Sequence, residues 1–168
     1  MTVSVDDIKA LRAETGAGVM ACRTALSEAD GDLEQARALL RERGVATAAK
    51  RAHRDTAEGI VESYLHRGRI GAMLELNCET DFVARTDVFK ELAHDIAMQI
   101  ASMNPQVIDA ADLPADADGD PAELALLSQT FIKDPSKTIQ DLITDAVATT
   151  GEKIAVRRFA RYELGGEA

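Results

Sequence analysis

The sequence predicts an α+β protein, a three-helix N-terminal module joined to a core in which helices pack on a small, largely antiparallel sheet. Three observations carry this. Apolar residues recur at three-and-four spacing through the first 45 positions, and the spacing changes to alternation on either side of "HRGR" at 66–69. Alternation returns in "KIAVRRFARYELG" at 153–165. The predicted organisation is a helical module over residues 1–45, a helical linker over 46–57 and an α+β core over 58–168.

Val5, Ile8 and Leu11 make the first apolar stripe, Val19, Cys22, Ala25, Leu26 and Ala29 the second, and Leu33, Ala36, Leu39 and Leu40 the third. "TGAG" at 15–18 and "DGD" at 30–32 separate them, and Gly44 is expected to end the set. The alanine-rich, basic "VATAAKRAHRDTA" then reads as a helical spacer. In the hairpin that follows, Val61 and Leu65 share one face, Ile60 and Tyr64 the other, and Leu74 and Leu76 share a face of the second strand. Thr86 is a plausible N-cap for a long helix lined by Phe89, Leu92, Ala93, Ile96, Ile100 and Met103. "IDAADLPADADGDPAE" has little to bury and reads as a flexible acidic loop. A helix is expected over 123–131, and another from near Thr138, with Ile139, Leu142, Ile143, Ala146 and Val147 inward, to Gly151. In the last strand, strict alternation puts Ile154, Val156, Ala160 and Tyr162 on one side and Arg157, Phe159 and Arg161 on the other.

Composition narrows the function. A net charge of -10 disfavours direct nucleic-acid binding, which needs clustered cations to neutralise phosphates. The charge is uneven. Residues 37–54 hold six Lys or Arg against one acid, a run that reads as solvated surface or as a patch favouring encounter with an acidic protein, while 109–123 hold six acids and no base. Cys22 and Cys78 fall in different predicted elements without metal-ligand spacing, so both are expected to be buried free thiols. The amphipathic, acidic start resembles neither a signal nor a transit peptide, and no apolar run approaches the ~18 residues of a membrane span, so a cytoplasmic protein is expected.

Motifs for chemistry are sparse. "GAGVMA" at 16–21 spells a dinucleotide fingerprint but follows a helical pattern rather than a strand. His53, His66 and His94 are scattered, and Glu79 with Asp81 lack the nucleophile or metal that acid–base work would need. No cofactor or metal is expected. One stretch stands out. "NCETDFVART" at 77–86 sets Phe82, one of only four phenylalanines, in a polar, non-periodic segment between a strand and a helix. Phe82 either caps the core under the hairpin or protrudes as an anchor for another protein's pocket, where its burial is worth roughly 1.5–3 kcal/mol.

Five segments in order resemble the bacterial elongation factor Ts family over nearly the whole chain. They are "LRAETGAGVMACRTALSEADGDLEQARALLRERG" (11–44), "AAKRAHRDTAEGIV" (48–61), "LNCETDFVARTDVF" (76–89), "QTFIKDPSKTIQDLI" (129–143) and "GEKIAVRRFARYELG" (151–165). The resemblance implies that the N-terminal module is ubiquitin-associated-like (UBA-like). It also implies that the protein is a guanine-nucleotide exchange factor for the GTPase elongation factor Tu, making and breaking no covalent bond. Thr80, Asp81, Phe82 and Val83 match the segment that the family inserts beside its partner's nucleotide to dislodge Mg²⁺, and Arg12, Met20 and Arg23 match positions expected to touch the same GTPase. A single core unit, where longer members carry two, implies a homodimer, to which the last strand with Phe159 and Tyr162 is expected to contribute. The competing reading is a plain adaptor that binds partners through the three-helix module.

Overall fold

The computed structural model describes residues 3–166. Its elements run α1 (Val5–Thr15), α2 (Val19–Glu28), α3 (Leu33–Arg51), β1 (Glu58–His66), β2 (Ile70–Cys78), α4 (Asp81–Ala84), α5 (Asp87–Met103), α6 (Pro121–Leu124), β3 (Thr130–Phe131), β4 (Asp134–Thr138), α7 (Ile139–Thr150) and β5 (Ile154–Glu163), with 3-10 turns at Ala110–Asp112 and Leu126–Ser128. The α+β class is as predicted. Contacts divide the chain into two units. One is the N-terminal stretch through Arg54 with Thr144–Lys153, and the other is Asp55–Ile143 with the segment from Ile154 onward.

The N-terminal unit closes α1, α2 and α3 over Leu11, Cys22, Ala25, Leu26, Ala36 and Leu40. Local chemistry sets the helix starts: the Ser4 hydroxyl accepts from the Asp6 N–H at 3.1 Å, and Asp32 accepts from the Gln35 N–H at 2.9 Å. Two residues at helix starts depart from the predicted stripes, since Val5 and Val19 lie in solvent. Gly44 does not end the third helix, which continues to Arg51. A Cβ on Gly44 would lie 3.4 Å from that of Ala148, so the glycine sits where helix-to-helix approach is close, offsetting its cost of about 1 kcal/mol within a helix. The Lys153 ammonium donates to the Ala52 and Arg54 carbonyls at 2.7 and 2.8 Å, satisfying acceptors just past the end of α3. The basic run is partly neutralised within this unit. Arg37 binds Glu14 at 2.7 Å and Glu34 at 2.5 Å, hydrogen bonds that raise its already high pKa, and Arg43 pairs with Glu28.

In the core unit the sheet order is β1-β2-β5, antiparallel throughout. The hairpin faces are as read: Leu74 and Leu76 are buried, Ile60 and Tyr64 half-buried, Val61 and Leu65 exposed. Gly59 lies where a Cβ would fall 2.2 Å from the Leu76 carbonyl oxygen, so only glycine fits that point of the hairpin. Helix α5 covers the inner face with Phe89, Leu92, Ala93, Ile96, Ala97 and Ile100, whereas Met103, predicted inward, is 45% exposed at the helix end.

The alternation predicted for β5 breaks at a bulge. Val156 pairs with Leu76 and Arg158 with Glu75, so Arg157 is an extra residue and every later side chain changes face. Phe159 therefore joins Ile154 and Val156 on the helix side, and Ala160 and Tyr162 turn outward. On the outer face Arg158 hydrogen-bonds Glu75 at 2.7 Å, holding that carboxyl below its ordinary range.

Between α5 and α7 the single helix expected over 123–131 is replaced by α6, a 3-10 turn and β3. Two buried amides explain the break. Gln99 on α5 donates to the Gln129 side chain (3.2 Å) and the Thr130 carbonyl (3.0 Å), and accepts from the Ile132 N–H (3.0 Å). Gln129 in turn donates to the Glu123 carbonyl at 2.5 Å. Side-chain partners thus replace the helical ladder. Helix α7 starts where expected, with Thr138 and Asp141 capping each other: the Asp141 N–H donates to the Thr138 hydroxyl (3.1 Å) and the Thr138 N–H to the Asp141 carboxylate (2.9 Å).

Candidate functional site

The segment between β2 and α5 is a short, heavily pinned bend. Strand β2 ends at Cys78, whose buried thiol donates to the Thr80 carbonyl at 3.1 Å. Thr80 is extended (φ -129, ψ 154), and its hydroxyl accepts from the Val83 N–H at 3.4 Å, which makes it the N-cap of the four-residue α4. At the other end the Thr86 N–H and hydroxyl both donate to the Val83 carbonyl, at 3.0 and 2.8 Å. Thr86 also caps α5, accepting from the Phe89 N–H at 3.3 Å, as the sequence predicted.

One turn of helix has an inside and an outside. Val83 and Ala84 face the core and are buried; Asp81 is half-buried and reaches Arg85 at 2.8 Å across the turn. Phe82 points the other way and is 78% exposed, while Phe89 and Phe131 are sealed inside. Of the four predicted site residues, Thr80 and Val83 thus fasten the turn, and Asp81 and Phe82 are presented by it. The sequence grouped all four without separating these roles, although Val83 and Ala84 follow Phe82 at spacings that one helical turn rotates to its opposite side.

Arg12, Met20 and Arg23 are exposed in the N-terminal unit, Met20 at 65%. Arg12 lies in the last turn of α1, and Met20 and Arg23 lie on α2. "GAGVMA" forms the connection into α2 and not a strand-to-helix turn, so the dinucleotide fingerprint has no structural context. Cys22 and Cys78 are free and buried.

Two histidines that look unrelated in the sequence come together in the core unit. His66 stacks on Tyr64 at 6.2 Å between centroids, and His94 meets the same ring edge-on at 5.7 Å. A shallow depression of about 470 Å³ beside them is lined by Glu62, Lys90, Glu91, His94, Asp95 and Lys133. The packing of α5 on β1 that assembles it leaves no local signal in the sequence. Among the described residues no group of three or more His, Cys, Asp and Glu side chains is placed to hold a metal ion. Nor is any helix among them long and apolar enough to cross a membrane.

Comparison with known proteins gives consistent matches. The family model described as elongation factor TS matches residues 27–118, more than half of the chain. Elongation factor Ts of Moorella thermoacetica is 44% identical over 194 aligned residues, covering 97% of this chain and 96% of that protein. The protein of the same name from Heliobacterium modesticaldum is 48% identical over 189 residues (94% of this chain, 88% of that one). The one from Thermotoga neapolitana is 45% identical over 196 residues (99% and 100%). These alignments are longer than the 168 residues of the chain, so the relatives carry stretches within the matched span that have no counterpart here.

Proposed function

The chain belongs to the elongation factor Ts family, and from that premise we propose that it is the guanine-nucleotide exchange factor of elongation factor Tu, with α4 as the element that acts on the partner. A role in translation elongation follows from the family itself. The finer reading rests on one observation: a phenylalanine held 78% in solvent on a turn whose other side is buried and capped at both ends. Leaving that ring in water forgoes stabilisation of roughly 1.5–3 kcal/mol, which becomes available on docking into a partner's cavity.

In this reading Phe82 enters the GTPase between elements that support the nucleotide, with Asp81 beside it. Groups that hold Mg²⁺ shift, the metal leaves, and the uncovered phosphate charge loosens GDP. No bond is made or broken. The energetics is a linkage: a factor that weakens GDP binding is itself weakened by GDP in the same ratio. Each tenfold change takes about 1.4 kcal/mol, so the Phe82 ring supplies one to two decades and the rest falls to other contacts. Arg12, Met20 and Arg23 are assigned to a second contact with the same GTPase. The protein acts in the cytoplasm, without binding nucleic acid directly.

We also infer a homodimer that pairs through the outer face of the sheet. Val61 (66% exposed), Leu65 (70%), Met73 (55%) and Tyr162 (75%) form adjoining cross-strand rows there with Ala160. Together they expose on the order of 500 Å² of apolar surface, near the top of what a monomer usually leaves open. Of its charged members, Arg158 pairs with Glu75 at 2.7 Å and Arg157 reaches the same carboxylate at 3.9 Å, so this cluster keeps one net positive charge and belongs at the wet rim of the contact rather than at its centre. An adaptor that used only the N-terminal module would leave the form of α4 without a purpose.

The test is release of fluorescent GDP from elongation factor Tu. Acceleration by catalytic amounts of this protein is expected; a release rate indifferent to it overturns the reading.

A further inference from the structure

We propose that Arg85 is a positioning residue for nucleotide exchange: its guanidinium holds the Asp81 carboxylate and so keeps α4, with Phe82 on it, in the shape that docks. The inference rests on the exchange reading above and names a residue that reading does not use. A helix of four residues cannot hold itself by backbone hydrogen bonds, because the first turn fixes several dihedrals for a single bond. The turn must be held by side chains. The Thr80 hydroxyl serves its start and the Thr86 hydroxyl its end, but both bind backbone atoms on the buried side. Beside Phe82 the turn is spanned by an ion pair. Arg85 Nη2 lies 2.8 Å from Asp81 Oδ2, at four-residue spacing with the acid first, the order that also suits the helix dipole.

The pair has a second effect. The chain carries a net charge of -10, and Asp81 is the acid beside the proposed anchor. A bare carboxylate carried toward a site that holds phosphates is repelled, whereas a carboxylate paired to a guanidinium arrives without net charge. Arg85 is 75% exposed at its side chain, so it carries no core packing, and its replacement reads out positioning rather than folding. An exposed pair at this spacing shifts the population of the closed turn by only about a factor of two, and a like-charge pair shifts it by a similar factor the other way.

The experiment measures GDP release from elongation factor Tu against factor concentration for wild type, Arg85→Ala, Arg85→Lys and Arg85→Glu, each with Phe82 present and as Phe82→Ala. With Phe82 present, Arg85→Ala is expected to lower kcat/KM about twofold and Arg85→Glu about fourfold, while Arg85→Lys stays near wild type. In the Phe82→Ala background the Arg85→Ala effect is expected to shrink to the part due to the unpaired Asp81 charge, because the turn has no ring left to place. Thermal midpoints of the Arg85 variants should match wild type. An Arg85→Ala protein as active as wild type overturns the proposal. So does an equal loss in both backgrounds, which would make Arg85 an independent contact. If Phe82→Ala alone changes nothing, the role given to α4 falls first, which separates that failure from one confined to Arg85.

Discussion

Phe82 and Val83 are neighbours in the chain and opposites in burial, 78% exposed against 9%. Their substitutions should therefore separate stability from function. Phe82→Ala removes a ring that touches mostly water, so its thermal unfolding should match wild type, a change within about 0.5 kcal/mol. Val83→Ala empties part of a packed site and should cost about 1–3 kcal/mol, lowering the melting midpoint. Circular dichroism melts of the two variants check this, and a Phe82→Ala protein as destabilised as Val83→Ala would mean that the ring supports its own fold. The sequence made Phe82 legible as an oddity, an aromatic in a polar stretch, but composition alone left a core cap and a protruding anchor as alternatives. What decides between them is the rotation of one helical turn, set by the two threonine caps.

At the scale of elements, the long periodic segments were read well and the short ones were not. Helix α5 announces itself through Phe89, Leu92, Ala93 and Ile96, and the hairpin through alternation around residues 66–69. Two misreadings have definite physical causes. In β5 a single extra residue, Arg157, reverses the faces of all that follow, and a bulge has no signature in a pattern of alternation. Between 121 and 138 the chain follows the hydrogen bonds of Gln99 and Gln129, a pairing 30 residues apart that no local window contains. That network makes its own prediction. Gln99→Leu keeps the volume but strands the Ile132 N–H, the Thr130 carbonyl and the Gln129 side chain, each at about 1–3 kcal/mol. Unfolding by urea should show a loss of several kcal/mol, with hydrogen exchange rising first at Ile132. A neutral substitution would show that the amide pair is dispensable to the segment's path.

At the scale of the whole molecule, the sheet has one face under α5 and an outer face on which Val61, Leu65, Met73 and Tyr162 lie exposed. A dimer built on that face predicts a particle of twice 18.0 kDa by light scattering. Met73→Glu, central on the middle strand, should give a folded monomer; a wild-type monomer, or an unaltered dimer in the variant, would rule out this face. The bulge made this surface illegible in the sequence, since strict alternation put Phe159, not Tyr162, opposite Ile154. Exchange itself is tested most directly by stopped-flow release of fluorescent GDP from elongation factor Tu at saturating factor, comparing wild type with Phe82→Ala. The account predicts at least about a tenfold slower release by the variant, the scale of losing a buried interface anchor. Equal rates would contradict it.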